Sequence, residues 1–259
     1  MQNISEYDIV ECYNSEDDPN TDKAWLPGLY PGIVAGLIGD SGVGKSWFSL
    51  LLAHAWALES NLTGLPIIRH GRVGVLSLEE PRRTVSARLR TIRPHLTNPQ
   101  VKRVADRLII WDGTNEAQED WAQRVLSIKK LASQVDLLLI DHLRRLHPFE
   151  ENSNKEMATV MGDLQIMAGR THTTILMLQR AVPSRVPPSA QSVLRAQGSS
   201  VVQNTWRWCG SLSRLPGSTV EFRINQARYG PSGIALARFA QSPENGWLET
   251  LPTPNTKPH

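Results

Sequence analysis

Cysteine is scarce. Of 259 residues only Cys12 and Cys209 are cysteines, far apart in the chain, which excludes a disulfide framework and a cysteine-built metal site. Long apolar runs are missing too: the longest, residues 47–58, spans twelve positions and contains His54, so it is too short to cross a bilayer and reads as a buried helix. No basic segment leads into an apolar stretch at the N-terminus, and with so few cysteines this points to a reducing cytoplasm and no membrane contact. Positive charge is absent from the first 22 residues, which carry seven acids and no Lys or Arg. The remainder holds 28 bases against 18 acids, a net of +10, a body that could attract a polyanion or simply present a solvated, arginine-rich surface. Internal repeats and heptads are absent as well.

What is present is an alternation of short apolar runs and helical patterns. Strands are expected at 33–39, 72–79, 107–111, 136–141 and 173–179, and helices at 45–59, 81–90, 117–133 and 155–168. This order predicts an α/β fold with a mostly parallel central sheet flanked by helices. Pro183, Pro187 and Pro188 make 182–197 a long loop, and loops of that length in a compact domain tend to be functional. Strands at 206–215, 219–228 and 234–239, joined by Pro-Gly and Gly-Pro turns, predict an antiparallel C-terminal extension. The expected organisation is an acidic flexible arm (1–24), one core (25–250) and a disordered Pro- and Thr-rich tail (251–259).

Gly39-Asp40-Ser41-Gly42-Val43-Gly44-Lys45-Ser46 fits G-x-x-x-x-G-K-[ST] between an expected strand and an expected helix. The glycines let the backbone wrap an anion, and the helix N-terminus adds its partial positive charge. The pattern arises by chance roughly once in a hundred chains of this length, so a purely structural glycine loop is the weaker reading. ATP with Mg²⁺ is the expected ligand, Lys45 reaching its β- and γ-phosphates and Ser46 ligating the metal. The apolar strand closing on Asp141 supplies the second metal carboxylate of a Walker B element; its bland alternative is an aspartate capping a turn. A further carboxylate is needed to activate the attacking water. Glu80 precedes Pro81 and is suited to capping the next helix, which leaves Glu79 as the candidate base, or as an exposed strand end.

A carboxylate after the second strand, then Walker B, then a polar strand end at Gln179 resembles the RecA-type core of recombinases and ring-shaped replicative helicases. A closer resemblance lies in Asp141-His142-Leu143-Arg144-Arg145-Leu146-His147, Glu150-Glu151-Asn152, Gly198-Ser199-Ser200-Val201 and Arg207-Trp208. These are similar to the RepA helicases of mobilisable plasmids, hexameric ATP-driven DNA-unwinding motors, over about residues 25–229. The resemblance implies a RecA-like P-loop NTPase fold, a homo-hexamer, and Arg207 as an arginine finger reaching a neighbour's ATP. Gln226-Ala227-Arg228-Tyr229-Gly230-Pro231 is similar to the segment that delivers the finger in DnaB-like helicases, so Arg228 is a second candidate, alone or with Arg207. Each is also an ordinary strand-end arginine. Gln179-Arg180 departs from the RepA histidine pair and is more like RecA and DnaB, where the glutamine senses the γ-phosphate and informs the following loop.

Single-stranded DNA is the expected polymer partner, contacted by Arg144, Arg145 and His147 after Walker B and by Arg180, Arg185 and Arg195 after Gln179. Phe149 is the one aromatic in these loops, so phosphate contacts are expected to dominate; Arg144 and Arg145 could instead pair with Glu150 and Glu151. With no additional N-terminal domain, a primase or origin-binding protein would have to dock on the core or the acidic arm. Two other readings fit the same residues: a RecA-like recombination or regulatory ATPase that binds DNA without unwinding it, and an assembly switch driven by ATP binding. A small-molecule kinase fits poorly, because 182–197 lacks a compact arginine-rich lid.

Overall fold

The structure, a computed structural model, describes residues 24–59, 62–114, 120–182 and 194–251. The expected acidic arm up to residue 23, Arg185 and the tail from residue 252 lie outside the described residues. The strands are β1 (Val34–Gly39), β2 (Val73–Ser77), β3 (Leu108–Asp112), β4 (Leu137–Asp141), β5 (Thr174–Arg180), β6 (Trp208–Leu215), β7 (Thr219–Ala227), β8 (Ile234–Gln241) and β9 (Leu248–Leu251). They form a single sheet in the order β3-β2-β4-β5-β1-β6-β7-β8-β9. From β3 to β6 all neighbours are parallel; β7, β8 and β9 continue the sheet antiparallel. Apolar side chains alternate to both faces of β1, β4 and β5, which is why these strands are buried, β5 up to Gln179, and need helices on each side.

The helices are α1 (Lys45–Leu58), α2 (Arg82–Ile92), α3 (Asn98–Arg107), α4 (Trp121–Ala132), α5 (Leu143–Leu146), α6 (Asn154–Thr171) and α7 (Ser200–Thr205). Every residue of α1 from Trp47 to Leu58 is buried. One side of it packs on the sheet, while Phe48 meets Phe222 at 4.7 Å and Phe239 at 5.5 Å from the antiparallel extension. On the opposite face α4 and α6 contribute Trp121, Ile128, Met157, Met161 and Leu164 to a second core around Ile38, Ile140 and Trp206. No helix of the described residues is long and apolar enough to cross a membrane.

Some expectations need correction. Helix α3 falls in a stretch for which none was expected; it buries no residue fully, so its pattern is weak, and it depends on the Thr97–Gln100 capping box and on Glu59 bridging Arg103 and Arg107 at 2.7 and 2.5 Å. The long loop is fastened at its base, because Val182 N–H donates to Arg195 O and Gln197 N–H to Arg180 O, both at 2.8 Å. The short helix α7 follows it, and β9 carries the sheet to Leu251, one residue into the expected tail.

Trp206 is 1% exposed and lies flat against β1, where a Cβ on Gly36 would come within 2.3 Å of its ring. Only glycine admits that approach. Gly36→Ala is expected to cost about 3 kcal/mol by forcing the ring off the strand, read as a lower urea midpoint at unchanged slope.

Candidate nucleotide site

Strand β1 ends at Gly39 and α1 begins at Lys45, so residues 40–44 make the turn between them at the C-terminal edge of the parallel strands, where sheets of this class hold ligands. Gly42 (φ 75) and Gly44 (φ 101) adopt left-handed backbone that side chains resist, and a Cβ on Gly42 would meet nothing within 4 Å. The start of α1 has no side-chain cap, which leaves its first N–H groups for an anion. Lys45 Nζ folds back onto Gly39 O at 2.8 Å and Asp40 O at 2.9 Å. Burial lowers its pKa and Arg180 adds to the lowering, while Asp141 opposes both.

The antiparallel extension clasps this loop. Arg214 donates to Gly42 O at 2.9 Å, and the Gln241 amide lies 3.1 Å from where a Cβ on Gly44 would stand. The result is a cleft of about 340 Å³ bounded by the loop, Trp47, Glu79, Glu80, Arg88, Asp141, His142, Arg180 and Gln241. Neither Arg88 nor the extension residues were expected here.

At the floor of the cleft the Ser46 hydroxyl donates to the Asp141 carboxylate. Burial pushes that carboxyl up to about 6, against the Ser46 hydrogen bond, and the charges of Glu80 and Glu79 add to the rise. Among the described residues no group of three His, Cys, Asp or Glu side chains is gathered to hold a metal unaided. Ser46 and Asp141 do form a pair of oxygen donors beside the phosphate loop, which suits Mg²⁺, an ion that binds through one or two protein ligands together with phosphates and water.

Glu79 and Glu80 part company. Glu80 does not cap α2, whose N-cap is Pro81 without a side-chain bond; it pairs with Arg88, whose guanidinium lies 5.7 Å over the Trp47 ring. Glu79 faces the cleft mouth between Arg180 Nη2, 3.1 Å from Oε1, and His142 Nε2, 3.2 Å from Oε2. His142 Nδ1 accepts the Arg144 N–H at 3.2 Å, and burial lowers the ring's pKa against the pull of Glu79. A neutral ring with that Nδ1 acceptor carries its proton on Nε2 and presents it to Glu79. His142 lies next to Asp141 in sequence, but nothing local indicates that it would turn toward Glu79.

A second cleft of about 490 Å³ shares Glu79, His142 and Arg180 as a common wall and continues to Arg144, Arg145, His147, Glu151, Gln179 and Gln197. Gln179 is 1% exposed; its Nε2 donates to Glu151 Oε1 and to Gln197 O at 2.9 Å, and its Oε1 has no partner. It therefore lines this cleft and ties the segment after β4 to the returning arm of the loop after β5. Arg144 reaches Glu151 at 3.8 Å, the self-pairing that the sequence left open, whereas Arg145 and Arg195 are exposed. His147 is buried near Phe149, and burial brings its pKa down to about 4, which keeps it neutral.

Arg207 and Arg228 lie elsewhere. β6 runs parallel to β1 with Ala35 opposite Trp208 and Gly39 opposite Leu212, so Arg207 sits at the strand's start, about 17 Å of strand rise from the phosphate loop. Arg228 N–H donates to Arg207 O at 2.9 Å, and both arginines thus share the sheet edge opposite their own cleft. Neither can serve that cleft in cis.

A family model described as an AAA domain matches residues 7–181, more than half of the chain. The crystal structure of the RadB recombinase is similar with a TM-score of 0.57 and 16% identity, over 86% of this chain and 92% of that one, a likeness of fold. The match over residues 7–181, on a sheet with the RecA-like fold, shows that this chain belongs to the AAA domain family of P-loop ATPases.

Proposed function

We propose that the chain is the subunit of a homo-hexameric, ATP-driven DNA helicase that translocates on single-stranded DNA, serving replication of a plasmid or other mobile element. The observation that carries this reading is the common wall of Glu79, His142 and Arg180 between the nucleotide cleft and the arginine-lined cleft beside it. Arg144, Arg145, Arg180 and Arg195, with Arg185 from outside the described residues, would track the phosphate backbone without reading bases.

ATP would lie with its phosphates on residues 39–46, Lys45 turning from Gly39 O and Asp40 O to the β- and γ-phosphates. Ser46 and Asp141 would hold Mg²⁺, which when bound neutralises charge on the phosphates. Glu79 would orient a water for in-line attack on the γ-phosphorus and accept its proton as the bond to the bridging oxygen breaks and ADP leaves. The sheet edge bearing Arg207 and Arg228 would face the next subunit's cleft, a head-to-tail contact that closes into a ring. A primase or origin-binding protein would dock on the core or the acidic arm.

The test is ATP hydrolysis with and without single-stranded DNA, with light scattering on the same samples. Strong stimulation in a ring-sized assembly is expected, weakening steeply with salt. A DNA-indifferent monomer overturns the reading. The likeness to a recombinase favours a second reading, a DNA-binding ATPase without unwinding. A strand-displacement assay separates the two.

A further inference from the structure

The Glu79 carboxylate is held on both oxygens, by Arg180 on one and His142 on the other. The two partners differ in kind. His142 is buried and fixed by its own bond to the Arg144 N–H, while the Arg180 side chain is 49% exposed and the Glu79 side chain 38% exposed. Exposed pairs of this sort hold weakly and yield to a competing anion. The main chain around Arg180 is rigid by contrast: Ala181 N–H donates to Gly39 O at 3.0 Å and Arg180 O accepts from Gln197 N–H at 2.8 Å. Arg180 is thus a half-exposed cation on an anchored main chain, and it belongs to the walls of both clefts.

We propose that Arg180 is a positioning residue that restrains Glu79 while the neighbouring cleft is empty, and that a phosphodiester entering that cleft draws Arg180 away and frees the carboxylate to orient water. The inference rests on the ATPase reading above and adds the device by which polymer binding reaches the chemistry. While Arg180 occupies Oε1 and His142 occupies Oε2, neither oxygen of Glu79 is free to accept a hydrogen bond from an attacking water. Removing the guanidinium therefore substitutes for the polymer. His142 remains to orient the freed carboxylate through its Nε2–H.

The experiment compares steady-state hydrolysis by the full chain, Arg180→Ala and Arg180→Lys, each with and without oligodeoxythymidylate. Arg180→Ala is expected to raise DNA-independent kcat about fivefold, the scale of an exposed ion pair, at little change in KM for ATP, with stimulation by the oligonucleotide falling toward unity. Arg180→Lys keeps a charge but loses the planar fork, and it should lie between the two. In the Glu79→Gln background, Arg180→Ala should give none of that gain over Glu79→Gln alone; the same gain there overturns the proposal. An Arg180→Ala enzyme with unchanged DNA-independent kcat overturns the proposal. So does a lower kcat with raised KM, which would make Arg180 a ligand of the nucleotide. Absence of hydrolysis by the unmodified chain would instead count against the ATPase reading itself.

Discussion

Glu79→Gln should lower ATP turnover by about 10²–10⁴-fold while ATP binding stays within a few-fold of the parent, because the amide keeps the volume and loses the base. The geometry explains why this residue and not its neighbour. Both carboxylates border the nucleotide cleft, but Glu80 is committed to Arg88, and through it to the Trp47 ring, whereas Glu79 stands at the mouth between a fixed His142 and a half-exposed Arg180. Single-turnover hydrolysis and fluorescent-nucleotide binding on the same preparation separate chemistry from affinity. A larger loss of turnover from Glu80→Gln would reverse the assignment. Survival of biological function in Glu79→Gln would point to a switch driven by binding alone.

Arg207→Ala is expected to reduce turnover by about 10³–10⁵-fold if it supplies the γ-phosphate cation. Its place on the far edge of the sheet makes the defect intersubunit, so mixing has a distinctive outcome. Lys45→Ala and Arg207→Ala proteins should each be inactive alone, yet hydrolysis should recover on mixing, because a Lys45→Ala subunit still offers its arginine to the intact cleft of an Arg207→Ala neighbour. Arg228→Ala, tested in the same way, apportions the role between two residues whose backbones are joined by a 2.9 Å hydrogen bond. No recovery on mixing, with both proteins assembled, would rule out delivery in trans.

The parts of this molecule legible in its sequence are those with strong local signals. An apolar run closed by a glycine loop or a carboxylate reads as a buried parallel strand, so β1, β4 and the Gly39–Ser46 turn fall close to where expected, as does the fully buried α1. Helix α3 stayed hidden despite the Thr97–Gln100 signature because its hydrophobic stripe is too thin. Long-range placement was harder. Arg214 is 172 residues from the Gly42 carbonyl it holds, and Glu79 is 101 residues from Arg180. Such meetings follow from strand order, with β5 and β6 flanking β1, and periodicity carries no information about that order. The identity of the Glu80 partner was missed for a related reason: Arg88 lies eight positions on, beyond the three or four residues that pair along one helix, and it meets Glu80 only because the chain turns at Pro81.

The segment that matches the family model stops at residue 181, but β1 does not stop being a central strand there. Its outer neighbour is β6, from beyond that limit, and the loop at its tip is held by Arg214 and Gln241 from later still. Cut at the family boundary, the chain would present the apolar Val34–Gly39 ladder as a naked sheet margin, the kind of surface on which strands from other molecules stack. The antiparallel extension is therefore the hem of the sheet: it keeps β1 out of foreign pairing and holds the loop at its tip in shape.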